Sequence, residues 1–127
     1  MNSSDLIGID IGKKHTGLAR ASTVAKIAEP LTTLPTDQVV AKIQELLKEK
    51  KIDAIAVGLP RNLSGDETEQ TKWVRHWVSV SKKEVGVPFY WVDEALTSSG
   101  EKNDHSGAAV AILQDFVNTA DEEKVPC

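Results

Sequence analysis

One acidic residue inside an apolar strand constrains this chain more than any other feature. Leu6, Ile7, Ile9 and Ile11 form a short, largely β-branched run, the composition of a central strand covered on both faces. Asp10 interrupts that run. A carboxylate there costs several kcal/mol unless a cation or hydrogen bonds satisfy it. Asp10 therefore either pairs with a neighbouring group or holds a metal ion. Gly8 and Gly12 flank it, and small residues at those places let a phosphate or another backbone approach closely. Gly17, Leu18 and Ala19 return as a partner strand. The stretch Leu6–Ala21, LIGIDIGKKHTGLARA, thus reads as a β-hairpin with Lys13 and Lys14 in its turn.

The bulk properties bound what can surround this hairpin. A length of 127 residues is enough for one domain with a real core, expected over residues 1–120, with a polar tail over 121–127. With 40% apolar and 27% charged residues the composition is that of a globular protein, and no apolar run approaches the roughly 20 residues that span a bilayer. The N-terminus MNSSD lacks the basic and apolar regions of a signal peptide, and the single cysteine, Cys127, forms no internal disulfide. Both fit a cytoplasmic protein with no membrane partner. The net charge of −4 argues against coating nucleic acid by bulk electrostatics, but it leaves room for a local basic patch.

Along the chain, Val24–Leu34 reads as an irregular third strand, placed at a sheet edge by Pro30. Thr36-Asp37 marks a helix cap, and Val39, Val40, Ile43, Leu46 and Leu47 follow at helical spacing, closed by the basic run Lys48–Lys51. Ile52–Leu59 reads as a buried parallel strand. After the loop PRNLSG, the Ser64-x-x-Glu67 pattern predicts a capping box, and Trp73, Val74, Trp77 and Val78 give the next helix an apolar face. Val87–Val92 is the next strand, with Asp93 and Glu94 just past its end. A short helix or loop over Ala95–Lys102 leads to a last helix from about Ser106 to Thr119, whose buried stripe is Ala108, Ala109, Ile112, Leu113, Phe116 and Val117. The tail Ala120–Cys127 is polar and expected to fray.

The order β-β-β-α-β-α-β-α predicts an α/β fold, a mixed five-stranded sheet with helices on both faces. Sites in such sheets form at the carboxyl ends of the central parallel strands. Asp10 lies near the end of its strand and Asp93 and Glu94 follow theirs, while Asp104 and His105 at the start of the last helix can pack across the same edge.

Four motifs in order, GIDIGKKHTGLA, VGLPRNLSGDETEQTKWVRHW, VDEALTS and HSGAAVAILQDF, resemble the YqgF/RuvX family of RNase H-like nucleases, and they cover most of the chain. The first motif is shared with sugar kinases and actin-like ATPases; the GLPRNLSG loop and the AAVAILQ helix are the specific part. The resemblance implies an RNase H-like fold and nuclease activity. Members are described as Holliday junction resolvases and as nucleases that mature the 5′ end of the 16S ribosomal RNA precursor.

Phosphodiester hydrolysis benefits from two divalent ions about 4 Å apart, one activating water and one stabilising the leaving oxygen. Mg²⁺ or Mn²⁺ prefers oxygen ligands from converging elements. The catalytic candidates are then Asp10, Asp93, Glu94, Asp104 and His105, with Asp10, Glu94 and Asp104 as the metal set, although the residues themselves do not choose between Asp93 and Glu94 as the ligand after the fifth strand. The family's aspartate seven residues before the isoleucine of ILQ falls on His105 in this chain, one residue after Asp104. Three readings stay open: His105 as ligand or proton carrier, Asp104 as the carboxylate, or an impaired site with Asp104 as a helix cap. The family's DER reads Asp93-Glu94-Ala95, without the arginine. Lys13, Lys14, Arg20 and Arg61, with His15, would form a positive rim for a phosphate backbone.

These features predict a metal-dependent nuclease on structured RNA, the ribosomal precursor by resemblance. The alternatives are a resolvase of DNA junctions, which predicts a homodimer rather than a monomer, and a nucleic-acid or ribosome-associated binding protein that has lost cleavage. A phosphotransferase of the actin-like type would need a second domain for which the chain has no room.

Overall fold

A computed structural model of the chain describes residues 4–61, 66–95 and 105–127. β1 (Asp5–Asp10), β2 (His15–Ser22) and β3 (Glu29–Pro35) form an antiparallel meander. α1 (Val39–Glu49), β4 (Ile52–Arg61), α2 (Glu69–Val85), β5 (Phe89–Ala95) and α3 (His105–Asn118) follow, and β6 (Val125–Pro126) closes the chain. The strands make one six-stranded sheet in the order β3-β2-β1-β4-β5-β6, with β1, β4 and β5 parallel. The predicted mixed sheet is therefore present with one strand more than expected. That strand comes from the tail: β6 pairs with Tyr90 and Trp91 of β5, and the Cys127 N–H donates to the Phe89 carbonyl at 2.8 Å. Lys124 ties the tail down further, donating to the Thr119 carbonyl at 2.6 Å and to Asp121 at 2.9 Å. The expected fraying is replaced by edge pairing, which gives the exposed side of β5 hydrogen-bond partners.

Strand alternation divides the core in two. Ile7, Ile9, Leu18, Ile55, Val57 and Phe89 pack on one face against Val39 and Ile43 of α1 and Val74 and Val78 of α2. Trp73 and Trp77 are half-buried against the same cluster, so they are core residues rather than platforms for bases. On the other face Ala19, Ala21, Ala54, Ala56 and Val92 meet Ala109, Ile112, Leu113 and Phe116 of α3.

Element ends depart from the sequence reading in informative ways. Thr36 opens a single 3₁₀ turn and caps nothing; its buried hydroxyl donates to the Gly12 carbonyl at 2.5 Å and lies 2.8 Å from the Thr16 hydroxyl. α2 begins at Glu69 with a reciprocal capping box between Thr68 and Thr71, while the predicted cap Ser64 lies outside the described residues. Threonine hydroxyls at both box positions satisfy the orphan amides of the first turn. The same Thr71 hydroxyl donates to the Pro60 carbonyl at 2.5 Å, which latches the start of α2 to the end of β4. α2 ends on Gly86, whose φ of 75° is the left-handed cap glycine adopts without strain. The segment expected as a short helix or loop after β5 lies outside the described residues apart from Ala95, the last residue of that strand.

Candidate active site

The carboxyl ends of β1, β4 and β5 share one edge of the sheet, because the three strands are parallel. Asp10 is the last residue of β1, half-buried, with Gly17 of β2 as its ladder partner. Lys13 and Lys14 follow in the β1–β2 turn and are exposed, and the Lys14 carbonyl accepts from the Thr36 N–H at 3.0 Å. Arg61 is the last residue of β4, so its backbone stands on the same edge.

β5 runs on to Ala95, so Asp93 and Glu94 lie within the strand instead of after it. This changes what they can do. Asp93 is in register with Leu59 and Glu94 with Pro60. Counting by twos, position 93 belongs with Phe89 and Trp91 on the α1–α2 side, and position 94 with Tyr90 and Val92 on the α3 side. Asp10 is even-numbered with Leu6 and Gly8, which also face α3. Sequence left the two acids equivalent; register puts position 94, not 93, on the side of Asp10.

α3 supplies the roof of this side. Gly8 of β1 abuts Ala109 and Leu113, while Phe116 and Val117 lie over a cavity with Leu6, Ala54 and Tyr90. The Tyr90 and Phe116 rings are 5.3 Å apart. The helix therefore runs antiparallel to β1, and its first residue, His105, comes one turn before Ala109 at the end where Asp10 stands. Asp104 lies outside the described residues. Gln114 fixes the helix from the side: its Oε1 accepts from the Ala28 N–H at 2.9 Å and its Nε2 donates to the Lys26 carbonyl at 3.2 Å. The glutamine of the AAVAILQ motif was noticed in the sequence, but its partners lie 86 and 88 residues away and no local signal names them.

Arg20 is not brought to this edge. It pairs across the ladder with Ile7, three residues along β2 from Gly17, toward the amino end of β1. There its guanidinium bonds to Asp5 at 3.3 Å and to Glu29 at 2.5 Å. The hydrogen bonds it donates to the Asp5 carboxylate are the main reason its pKa is raised above the ordinary value, against an opposing contribution from burial. Asp5 also lies 3.8 Å from Lys50. The sequence reading missed Asp5, a nearly buried carboxylate whose role follows only from strand pairing.

Hard oxygen donors at Asp10 and position 94 suit Mg²⁺ or Mn²⁺ better than softer ions. Among the described residues no group of three His, Cys, Asp or Glu converges tightly enough to hold a metal unaided.

Comparison with known proteins bears on the family and the fold. The family model described as "RuvX: Holliday junction resolvase" matches residues 4–119. The chain belongs to the RuvX family. Among curated relatives, one from Bacteroides fragilis is 34% identical over 96 residues, covering 75% of this chain and 70% of its own. One from Nitratidesulfovibrio vulgaris is 30% identical over 138 residues, covering 94% and 97%. Both carry the name "Putative pre-16S rRNA nuclease". Among solved structures, Thermus thermophilus RuvC in complex with a Holliday junction substrate superposes with a TM-score of 0.65 at 20% identity, covering 98% of this chain and 99% of that one. The fold of this RuvX-family chain is thus RNase H-like, as the motifs implied.

Proposed function

We propose that this RuvX-family protein is a metal-dependent nuclease that hydrolyses phosphodiester bonds in structured RNA, with the 5′ end of the 16S ribosomal RNA precursor as its substrate. One observation carries the reading: Asp10 and position 94 stand on the same side of the carboxyl edge, at the end where α3 begins. Mg²⁺ or Mn²⁺, when bound there, supplies Lewis acidity toward the phosphate and a more acidic water. Asp10 and Glu94 hold that ion, and Asp104 or His105 at the start of α3 completes the set. Lys13 and Lys14, exposed beside Asp10, hold the phosphate backbone, together with Arg61. Arg20 drops out of this rim because Asp5 and Glu29 occupy it.

The names of the relatives favour RNA. The family description and the RuvC likeness favour a DNA junction, whose symmetric cleavage would need a homodimer instead of a monomer. A reading as a binding protein without turnover draws on His105, which heads α3 where the family has an aspartate. No helix among the described residues is long and apolar enough to cross a membrane. A cytoplasmic location remains part of the proposal.

A cleavage assay tests all three readings. Wild type and Asp10→Asn are given a precursor rRNA fragment and a four-way DNA junction, each with Mg²⁺ or Mn²⁺. The proposal expects turnover of the RNA by wild type and its loss, by at least about 10²-fold, in Asp10→Asn. Preference for the junction would move the assignment to DNA, and tight binding without turnover would leave a binding protein.

A further inference from the structure

The two faces of the sheet are built to different depths. Toward α1 and α2 the central residues are Ile7, Ile9, Ile55 and Val57. Toward α3 they are small: Ala19, Gly8 and Ala56 form one row across β2, β1 and β4, and Ala21 and Ala54 flank Leu6 in the next. The closest approach is at Gly8. A Cβ there would stand 2.6 Å from Leu113 Cβ, 2.8 Å from the Ala109 carbonyl oxygen and 3.3 Å from Leu113 Cα. None of these atoms can rotate away, since each is part of the helix backbone or bonded directly to it. The helix itself would have to lift.

We infer that Gly8 is a positioning residue for the site: its bare backbone sets the height at which α3 rides over β1, and so the separation between Asp10 and the start of that helix. The inference rests on the reading of Asp10 as a metal ligand. The lift would not be uniform. Gln114 holds the helix to the 26–28 backbone, and Phe116 is buried against Tyr90. The push at Ala109 falls on the amino-terminal side of those anchors, so the helix pivots about them and its amino-terminal half is displaced. Restoring ordinary carbon–carbon contact from 2.6 Å requires roughly 1 Å of movement. Mg²⁺ and Mn²⁺ sites hold their ligands to a few tenths of an ångström, so a 1 Å shift of one supporting element is about enough to lose a ligand.

The test compares Gly8→Ala with Ala54→Val in the full chain. Ala54 lies under the other half of α3, beside a cavity of about 760 Å³ that takes the added methyls. Crystal structures give the position of the first turn of α3, and Mn²⁺ titration followed by electron paramagnetic resonance gives affinity without any substrate. Expected are a first turn displaced by about 1 Å in Gly8→Ala and an Mn²⁺ Kd raised at least about tenfold, with Ala54→Val within twofold of wild type at comparable thermal stability. A folded Gly8→Ala whose helix start has not moved, or whose Kd stays within twofold, overturns the inference. Should Gly8→Ala fail to fold, Ala56→Ser in the same row carries the same comparison. Asp10→Asn separates the two levels. If it binds Mn²⁺ as wild type does, the ligand reading falls and the positioning role with it. If it loses Mn²⁺ while Gly8→Ala keeps it, only the positioning role falls.

Discussion

Asp93 stands in register with Leu59 across the β4–β5 ladder, and its neighbour Glu94 with Pro60, so the two consecutive strand positions belong to opposite faces of the sheet. Only position 94 shares the face of Asp10. Glu94→Gln is therefore expected to lower metal-dependent cleavage by about 10²-fold or more, and Asp93→Asn to leave it within about threefold. Parallel kinetics of the two variants on one substrate check this; equal losses would mean that both carboxylates serve the site.

The Arg20 ion pairs predict a stability effect without a binding effect. Arg20→Met leaves Asp5, with a side chain only 9% exposed, facing Lys50 at 3.8 Å. The expected cost is about 1–3 kcal/mol, below that of a fully buried pair because Arg20 is itself 29% exposed. Nucleic-acid affinity should stay within about twofold, whereas Lys13→Ala with Lys14→Ala should flatten the salt dependence of binding by about 0.7–0.9 per lysine. Urea unfolding and a salt titration of binding separate the two outcomes.

Thr36 connects the β3–α1 junction to the glycine turn beside Asp10. Its hydroxyl donates to the Gly12 carbonyl and sits in hydrogen-bond range of Thr16, with both threonines buried. Thr36→Val removes the donor while keeping the shape, and about 1–3 kcal/mol should be lost in denaturant unfolding.

Cys127 offers a readout of the closed tail. Burial pushes its thiol from an ordinary 9.0 to about 12, with Lys82 and Arg75 opposing. The folded thiol stays protonated where an unfolded one ionises. Its contribution to stability is thus complete below pH 9 and is lost as pH rises toward 12. At pH 8 a disulfide reagent should label the native protein roughly tenfold or more slowly than the urea-unfolded chain. Equal rates would mean that the tail opens readily.

Most of the element order was legible because each element has a local signature. β1 announces itself through Leu6, Ile7 and Ile9, α1 through its helical spacing, and α3 through the stripe that ends at Val117. The failures share a cause as well. Thr36 reads as a cap because hydroxyls usually serve their own backbone, yet its partners are Gly12 and Thr16, 24 and 20 residues away. Strand β6 has only two residues and one is Pro126, so nothing local marks it; β5 makes it a strand. Arg20 reads as a free cation because Asp5 and Glu29 lie 15 and 9 residues distant.

By itself the sequence determined the family, the alternation of strands and helices, and the placing of a carboxylate at the end of the central strand. Those follow from composition and spacing within a few residues. Tertiary structure decided which of two adjacent strand positions shares the sheet face of Asp10, which cation is consumed by an ion pair, and how near α3 comes to β1. These depend on register and on the space between elements, and both are set by pairing between distant segments. Shifting a strand by one residue reverses every side chain on it while leaving its composition unchanged.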